Sequence, residues 1–305
     1  MYFSSLGEDE QLVIKEFKII HTLLPSLTHF IESQEQLRNF RLFGRGNSST
    51  EFYGIISALE SQKSTLQEIT LENCVFSAEN DSFLNCNTEL LKILDYNIST
   101  LEISYSKIDV PIIVIIVQIL EKIGISLQRL KIQSVMVILE ESLLLEAIKS
   151  FCPNIIYLYI KDIGLSTQLI ELIGNLQKLQ FLSLGLFYHT PKEEERKIRV
   201  MQFAKILPST LQYINIALGM PDTLLDTFID ILLDLCNAPL KKLLISGSSE
   251  KNNKAIIRFC TQIRTLNYVG IVKHYELGYY IRNEIRNELE EYVTLVSYKN
   301  IVVNC

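Results

Sequence analysis

The amino-acid sequence predicts an α/β protein made of repeated strand–helix units, and three observations carry this prediction. A short pattern of apolar residues returns at intervals of about 28 residues. Between the copies, apolar residues follow the spacing of an amphipathic helix. The 305 residues are 48% hydrophobic and 21% charged, a composition typical of a globular chain with a large core.

The repeated pattern is clearest at residues 66–74, where LQEITLENC fits L-x-x-L-x-L-x-x-N/C. This is the pattern of a leucine-rich repeat, in which a strand supplies the spaced apolar residues. Nine copies follow one another, and their first residues lie 23 to 32 positions apart. These first residues are Leu37, Leu66, Ile98, Leu127, Ile155, Leu179, Leu211, Leu240 and Ile263.

Helices are predicted between the copies because the apolar period changes there from two to about 3.6 residues. Ser166 and Thr167 precede one such segment, where their hydroxyls would cap a helix. A strand–helix unit cannot bury its apolar side alone, so the units must stack. We therefore predict a leucine-rich-repeat solenoid, or horseshoe, with a parallel sheet on the concave side and helices on the convex side. The predicted helices cover residues 52–59, 89–94, 112–123, 143–151, 168–176, 197–207, 223–235 and 254–259.

The two ends of the chain are predicted to cap this stack, because terminal repeats must cover an otherwise open core. Residues 1–36 are expected to form an N-terminal helical cap, with a helical pattern over 8–30. The repeats occupy 37–275, and 276–305 form a C-terminal cap. In that cap we expect a helix over 276–292 and a last irregular strand within 293–303.

Charge and hydropathy argue against nucleic acids and membranes as partners. The net charge is −6 and the sequence shows no basic stripe that could neutralise phosphates. The most apolar stretch covers residues 110–120, whereas a membrane helix needs roughly 20 apolar residues. The first residues lack the basic start and apolar run of a signal peptide. We expect a cytoplasmic or nuclear protein.

No catalytic, cofactor or metal site is expected. The four histidines are scattered, and the six cysteines contain no C-x-x-C pair. Cys152 and Cys260 each lie three residues before a repeat, a recurrence that favours buried packing residues. Residues 44–49, GRGNSS, lack the third glycine of a dinucleotide loop and are better explained as a turn. The chain is therefore predicted not to be an enzyme.

The informative positions are those of the concave face. Strand side chains alternate, so the second, fourth and sixth residues after each repeat's first should project there. The second and third repeats place acidic residues on this face, the fourth places basic ones, and the next three place aromatic ones. Tyr and Arg are enriched at the energetic centres of interfaces, and a contiguous apolar patch marks a binding site. The alternative is that the rings only pack on one another along the sheet. The predicted protein-binding residues are Arg129, Lys131, Tyr157, Tyr159, Lys161, Phe181 and Tyr213.

Four segments resemble a known family. ALESQKSTL at 58–66, FCPNI at 151–155, GNLQKL at 174–179 and LPSTL at 207–211 are similar to segments of fungal F-box/leucine-rich-repeat proteins, whose repeats are ribonuclease-inhibitor-like. The resemblance implies an N-terminal F-box that docks on the adaptor of a cullin-RING ubiquitin ligase, and repeats that select the substrate. Leu24-Pro25 is similar to the opening dipeptide of an F-box. The F-box itself is not visible, because the 36 residues before Leu37 are too few for about three helices.

Two functions remain open at this point. The first is substrate recognition for a cullin-RING ubiquitin ligase, which the resemblance implies and which would require an F-box upstream to bind the adaptor. The second is a repeat-only scaffold or inhibitor-like binding protein with no ubiquitin role. In both, the partner is a protein that binds the concave face.

Overall fold

The computed structural model describes residues 2–3, 11–15, 24–34, 36–43, 58–72, 94, 97–106, 108–134, 136–138, 140–187, 193–218, 225–246, 250–272 and 283–296. The chain divides into two compact units, Met1–Ile155 and Ile156–Cys305. We call them the first and the second unit and describe each by itself.

In the first unit, β1 pairs antiparallel with β2, and β2 to β6 then pair in parallel, each with the next. The strands are β1 Tyr2–Phe3, β2 Gln11–Lys15, β3 Asn39–Phe43, β4 Glu68–Glu72, β5 Thr100–Ser106 and β6 Arg129–Ser134. The described helices are α1 Leu24–Glu32, a 3-10 helix Leu59–Gln62, α2 Val110–Ile123 and α3 Glu141–Phe151.

In the second unit, six parallel strands pair in chain order and alternate with helices that contact one another in the same order. The strands are β7 Tyr157–Gly164, β8 Phe181–Phe187, β9 Tyr213–Leu218, β10 Lys242–Ser246, β11 Tyr268–Val272 and β12 Thr294–Val296. The helices are α4 Thr167–Asn175, α5 Glu193–Ile206, α6 Leu225–Leu235, α7 Glu250–Gln262 and α8 Asn283–Glu290. The predicted α/β class, with parallel strands and alternating helices, is confirmed in each unit.

The core of each unit lies on one side of its strands, where two apolar positions of every copy meet in register. Leu101 is the Cα partner of Leu130 in the first unit, and Leu158 is that of Leu182 in the second. In copies two to six, the fourth and sixth residues of the repeated pattern, predicted to face the core, are all buried, with at most 4% of any residue exposed. These residues are Ile69, Leu71, Leu101, Ile103, Leu130, Ile132, Leu158, Ile160, Leu182 and Leu184.

The start of helix α4 follows the predicted capping chemistry. The Ser166 hydroxyl accepts a hydrogen bond from the Leu169 N–H at 3.3 Å, which satisfies one of the free donors of α4. Between residues 110 and 262, the observed ends of the helices differ from the predicted bounds by up to four residues, since terminal turns carry little apolar periodicity. The predicted helical residues 52–57 and 89–93 lie outside the described residues.

The predicted helix over residues 8–30 is wrong in its first part, because Gln11–Lys15 is strand β2 and α1 begins at Leu24. Leu12 and Ile14 are the Cα partners of Phe40 and Leu42, so β2 adds a strand before the first predicted copy. The five residues of β2, QLVIK, contain three apolar residues in a row and show no alternation, so pairing with β3 decides their conformation. The cap boundaries themselves remain predictions.

The ninth copy was placed in the wrong register. Val269 is the Cα partner of Leu243 and is fully buried, whereas Tyr268, predicted as a core position, is 40% exposed. The copy therefore starts at Leu266 and not at Ile263. Ile263-x-x-Leu266-x-Tyr268 imitates the pattern by chance, because a tyrosine can stand at either face of a strand.

Candidate protein-binding surface

The open face of each unit is the strand surface opposite its core. In the second unit, pairing places five residues that each precede the first core position side by side on adjacent strands. We call these five residues the aromatic row: Tyr157, Phe181, Tyr213, Lys242 and Tyr268.

Two pairs of neighbours in the aromatic row interact through their rings. The ring centroids of Phe181 and Tyr213 are 6.3 Å apart, with their planes tilted by 44°. The Lys242 ammonium lies 5.6 Å from the centroid of the Tyr268 ring, within cation–π range. The row therefore combines one tilted pair of rings, Phe181 and Tyr213, with a cation over a further ring, that of Tyr268.

Exposure varies along the aromatic row. Tyr213 is 5% exposed, Tyr157 and Phe181 are half-buried, and Tyr268 is exposed. Burial raises the pKa of Tyr213 above its ordinary value, and the charges of the Tyr157 and Tyr159 side chains raise it further. The Tyr213 ring is thus largely enclosed, whereas Tyr157, Phe181 and Tyr268 keep part of their surface accessible to solvent.

Polar groups form the next row of the open face in the second unit. Tyr159, Ser183 and Asn215 are Cα partners along three strands. The Asn215 side-chain amide donates a hydrogen bond to the Ser183 hydroxyl at 2.8 Å. Ser183 is buried, whereas Tyr159 is half-buried. The Tyr159 ring is therefore a fifth ring on this face, beside the four of the aromatic row.

Lys161 lies in the third row, at a bulge of β7. A Cβ atom on its partner Gly185 would lie 2.5 Å from Lys161 Cγ, so the glycine leaves room for the lysine stem. Asp162 is the bulged residue and has φ 63°, a left-handed conformation that Asp adopts more readily than most residues. Its carboxylate lies 3.8 Å from the Lys161 ammonium, whose side chain remains 43% exposed.

The open face of the first unit is charged instead of aromatic. One Glu102 oxygen lies 3.2 Å from Arg129 Nε and the other lies 3.4 Å from Lys131 Nζ. Only 15% of the Glu102 side chain is exposed, so this three-residue cluster is partly shielded from water. Glu102 of the predicted acidic zone therefore pairs across adjacent strands with Arg129 and Lys131 of the predicted basic zone.

The predicted site residues thus fall into two groups. Tyr157, Tyr159, Lys161, Phe181 and Tyr213 are brought together on the open face of the second unit. The other two, Arg129 and Lys131, belong to the first unit and share Glu102.

Sequence reasoning missed Lys242 and Tyr268. Lys242 stands two residues after Leu240, the position that identified the other members of the row. Tyr268 was hidden by the register error of the ninth copy, which assigned it to the core.

The cysteines behave as packing residues where the structure describes them. Burial raises the pKa of Cys152 to about 12 and that of Cys260 to about 12, and it raises the pKa of Cys236 as well. A thiol with such a pKa is almost entirely protonated near neutral pH and is a poor nucleophile. Within the described ranges, no three His, Cys, Asp or Glu side chains gather as a possible metal site. None of the helices in those ranges has the length and apolar character to cross a membrane.

Comparison with known proteins gives matches at the level of structure. No model of a protein family matches the sequence, and no curated protein matches it. The crystal structure of a protein from Bacteroides fragilis matches with a TM-score of 0.53 and 14% identity, over 96% of this chain and 87% of that one. The yeast Rad7 and Elc1 complex matches with a TM-score of 0.48 and 14% identity, over 83% of this chain and 63% of that one. The Bacteroides likeness concerns the fold alone.

Proposed function

We propose that this chain is a leucine-rich-repeat protein, with the horseshoe arrangement expected for such repeats, that binds a protein on the open face of its second unit. The observation that carries the proposal is the aromatic row, in which rings from successive strands stand in register outside the core. Rigid rings bury a large area at a low cost in conformational entropy, which suits an interface.

The burial of the face supports the same proposal. The core positions are satisfied by their own packing, since Leu158 and Leu182 are fully buried. Tyr157 and Phe181 are half-buried and Tyr268 is exposed, so these rings gain little stabilisation from packing in the core. A contiguous group of this kind is typical of a surface that a partner covers. We propose no catalytic role for the chain.

The resemblance to F-box/leucine-rich-repeat proteins supports a narrower form of the proposal, in which the bound protein is a substrate of a cullin-RING ubiquitin ligase. The broader form is a scaffold or inhibitor-like protein. Affinity capture from cells that express the protein, followed by mass spectrometry, separates the two. A ligase adaptor captured with the partner supports the narrower form, and a partner without an adaptor supports the broader one.

The site is tested by titrating the captured partner against wild type and Tyr159→Ala. We expect a loss of about 2 kcal/mol in binding, the value of an interface hot spot, with a smaller effect on folding. The matched control is Glu194→Ala on helix α5, where 83% of the side chain is exposed. Equal affinities for all three proteins would contradict the proposed site. Unfolding of Tyr159→Ala would show that the ring belongs to the core.

A further inference from the structure

The open face of the second unit carries an excess of cations beside its rings. Among the strand residues that the structure describes in this unit, the cations are Lys161 and Lys242, and the one carboxylate is Asp162. Asp162 stands at the bulge and already lies near Lys161. The Lys242 ammonium lies over the ring of Tyr268. The ring does not neutralise the positive charge of the ammonium.

The first unit provides the contrast that makes this excess informative. There the cations Arg129 and Lys131 share the carboxylate of Glu102. The second unit offers Lys242 no carboxylate on the two strands that flank β10, since Tyr213 and Tyr268 are its register partners. A carboxylate from a bound partner would therefore pair with Lys242, as Glu102 pairs with the cations of the first unit.

The dimensions of the aromatic row set the size of the bound segment. Neighbouring strands are about 4.8 Å apart, so the five strands from Tyr157 to Tyr268 span about 19 Å. An extended chain advances about 3.4 Å per residue, so about six residues cover the row. The net charge of −6 does not oppose such a segment strongly, because charges beyond about 8 Å are screened at physiological salt.

We propose that the partner binds as an extended acidic segment of about six residues. Its apolar or aromatic side chains lie against Tyr157, Tyr159 and Phe181. One carboxylate pairs with Lys242 in the aromatic row, and another pairs with Lys161 where the partner chain leaves the row along β7. This inference rests on the proposed function, since it names the chemistry of the partner for the same face.

The test is a selection of random 12-residue peptides, displayed on phage, against the whole chain. Peptides enriched by wild type should combine Asp or Glu with aromatic or large apolar residues. The best peptide should bind Lys161→Gln/Lys242→Gln about tenfold more weakly, because two charge pairs near the surface are lost. Its analogue with Asn and Gln for Asp and Glu should bind wild type and this variant equally.

The matched control is Lys205→Gln/Lys254→Gln, which removes two exposed lysines from α5 and α7 of the same unit. This control should bind the best peptide as wild type does. Enriched peptides without an acidic bias, whose binding is still lost in Phe181→Ala, would overturn the acidic segment and leave the proposed function standing. A failure to enrich any peptide would overturn the extended segment and leave the proposed function standing, whereas binding that is unchanged in Phe181→Ala would overturn both.

Discussion

The strands of the first and second units share their core positions and differ at their open-face positions. In the first unit the open face carries Glu102 with Arg129 and Lys131, which pair with one another. In the second unit the equivalent positions carry rings, as at Tyr157 and Phe181. The core sequence is constrained by packing in every repeat, whereas the open face is free to vary. We therefore expect the function of the repeats to depend on residues of the open face.

The two open faces also differ in how far their side chains find partners within the chain. The charges of the first unit have partners on neighbouring strands, so a ligand would have to displace them at an electrostatic cost. The rings of the second unit contact one another, yet Tyr268 remains 40% exposed. We infer that the first unit is built for stability at these positions and the second for binding.

The largest expected effect concerns the core that both units share. Leu130→Ala and Leu158→Ala each remove a fully buried side chain at equivalent strand positions, one in each unit. Each should lower the free energy of unfolding by roughly 2–5 kcal/mol. Urea denaturation followed by circular dichroism measures both losses. A loss below 1 kcal/mol in only one variant would break the equivalence of the two cores.

The next effect concerns the ion cluster of the first unit. Glu102→Gln leaves Arg129 and Lys131 without their shared carboxylate, while their side chains are only 20% and 27% exposed. The free energy of unfolding should fall by about 2 kcal/mol, as for other charged hydrogen bonds. Partner binding should not change.

The control for the ion cluster is Glu194→Gln, which removes an exposed carboxylate 3.5 Å from Lys197 on α5. Because that pair is exposed to water, its loss should leave the free energy of unfolding almost unchanged. Equal losses in the two variants would mean that burial does not distinguish the Glu102 cluster.

The smallest expected effect concerns one buried thiol in each unit. In the folded chain, the pKa values of Cys152 and Cys260 are raised to about 12. Both thiols therefore stay protonated at pH values at which the same thiols are already ionised in the unfolded chain. Stability is therefore fully present below the unfolded pKa of 9.0 and falls as the pH rises above it. At pH 10 each thiol should account for about 1.4 kcal/mol of the loss.

The measurement for the thiols is the unfolding free energy of wild type, Cys152→Ala and Cys260→Ala at pH 8 and pH 10. Each substitution should reduce the loss between the two pH values by a similar amount. A pH dependence that neither variant alters would show that other groups cause it.

Much of the fold could be predicted from the sequence, because core positions repeat with a fixed period. Leu66, Leu101 and Leu158 were assigned to the core from spacing alone, and all three are buried. The prediction failed where a copy is short or ambiguous, as at β2 and at Ile263. In these segments the structure depends on pairing with a neighbouring strand, and the sequence of a single strand does not reveal that pairing.

The residue types of the candidate surface could be predicted from the sequence, whereas the contacts between its side chains could not. Alternation along each strand predicted that Tyr157 and Phe181 share a face. It could not predict that Tyr213 is buried within the row, or that Glu102 pairs with both cations. Those outcomes depend on register between strands far apart in sequence, and on the rotamers of long side chains.

The most direct test of the central claim is photocrosslinking from equivalent positions of the two open faces. The photoreactive residue p-benzoylphenylalanine is placed either at Phe181 in the second unit or at Glu68 in the first, since both are half-buried and precede a core position. The captured partner is added, the mixture is irradiated, and covalent products are resolved on a denaturing gel. We predict a crosslinked partner from position 181 and none from position 68. A crosslink from position 68 alone, or equal yields from both, would contradict the assignment of binding to the second unit.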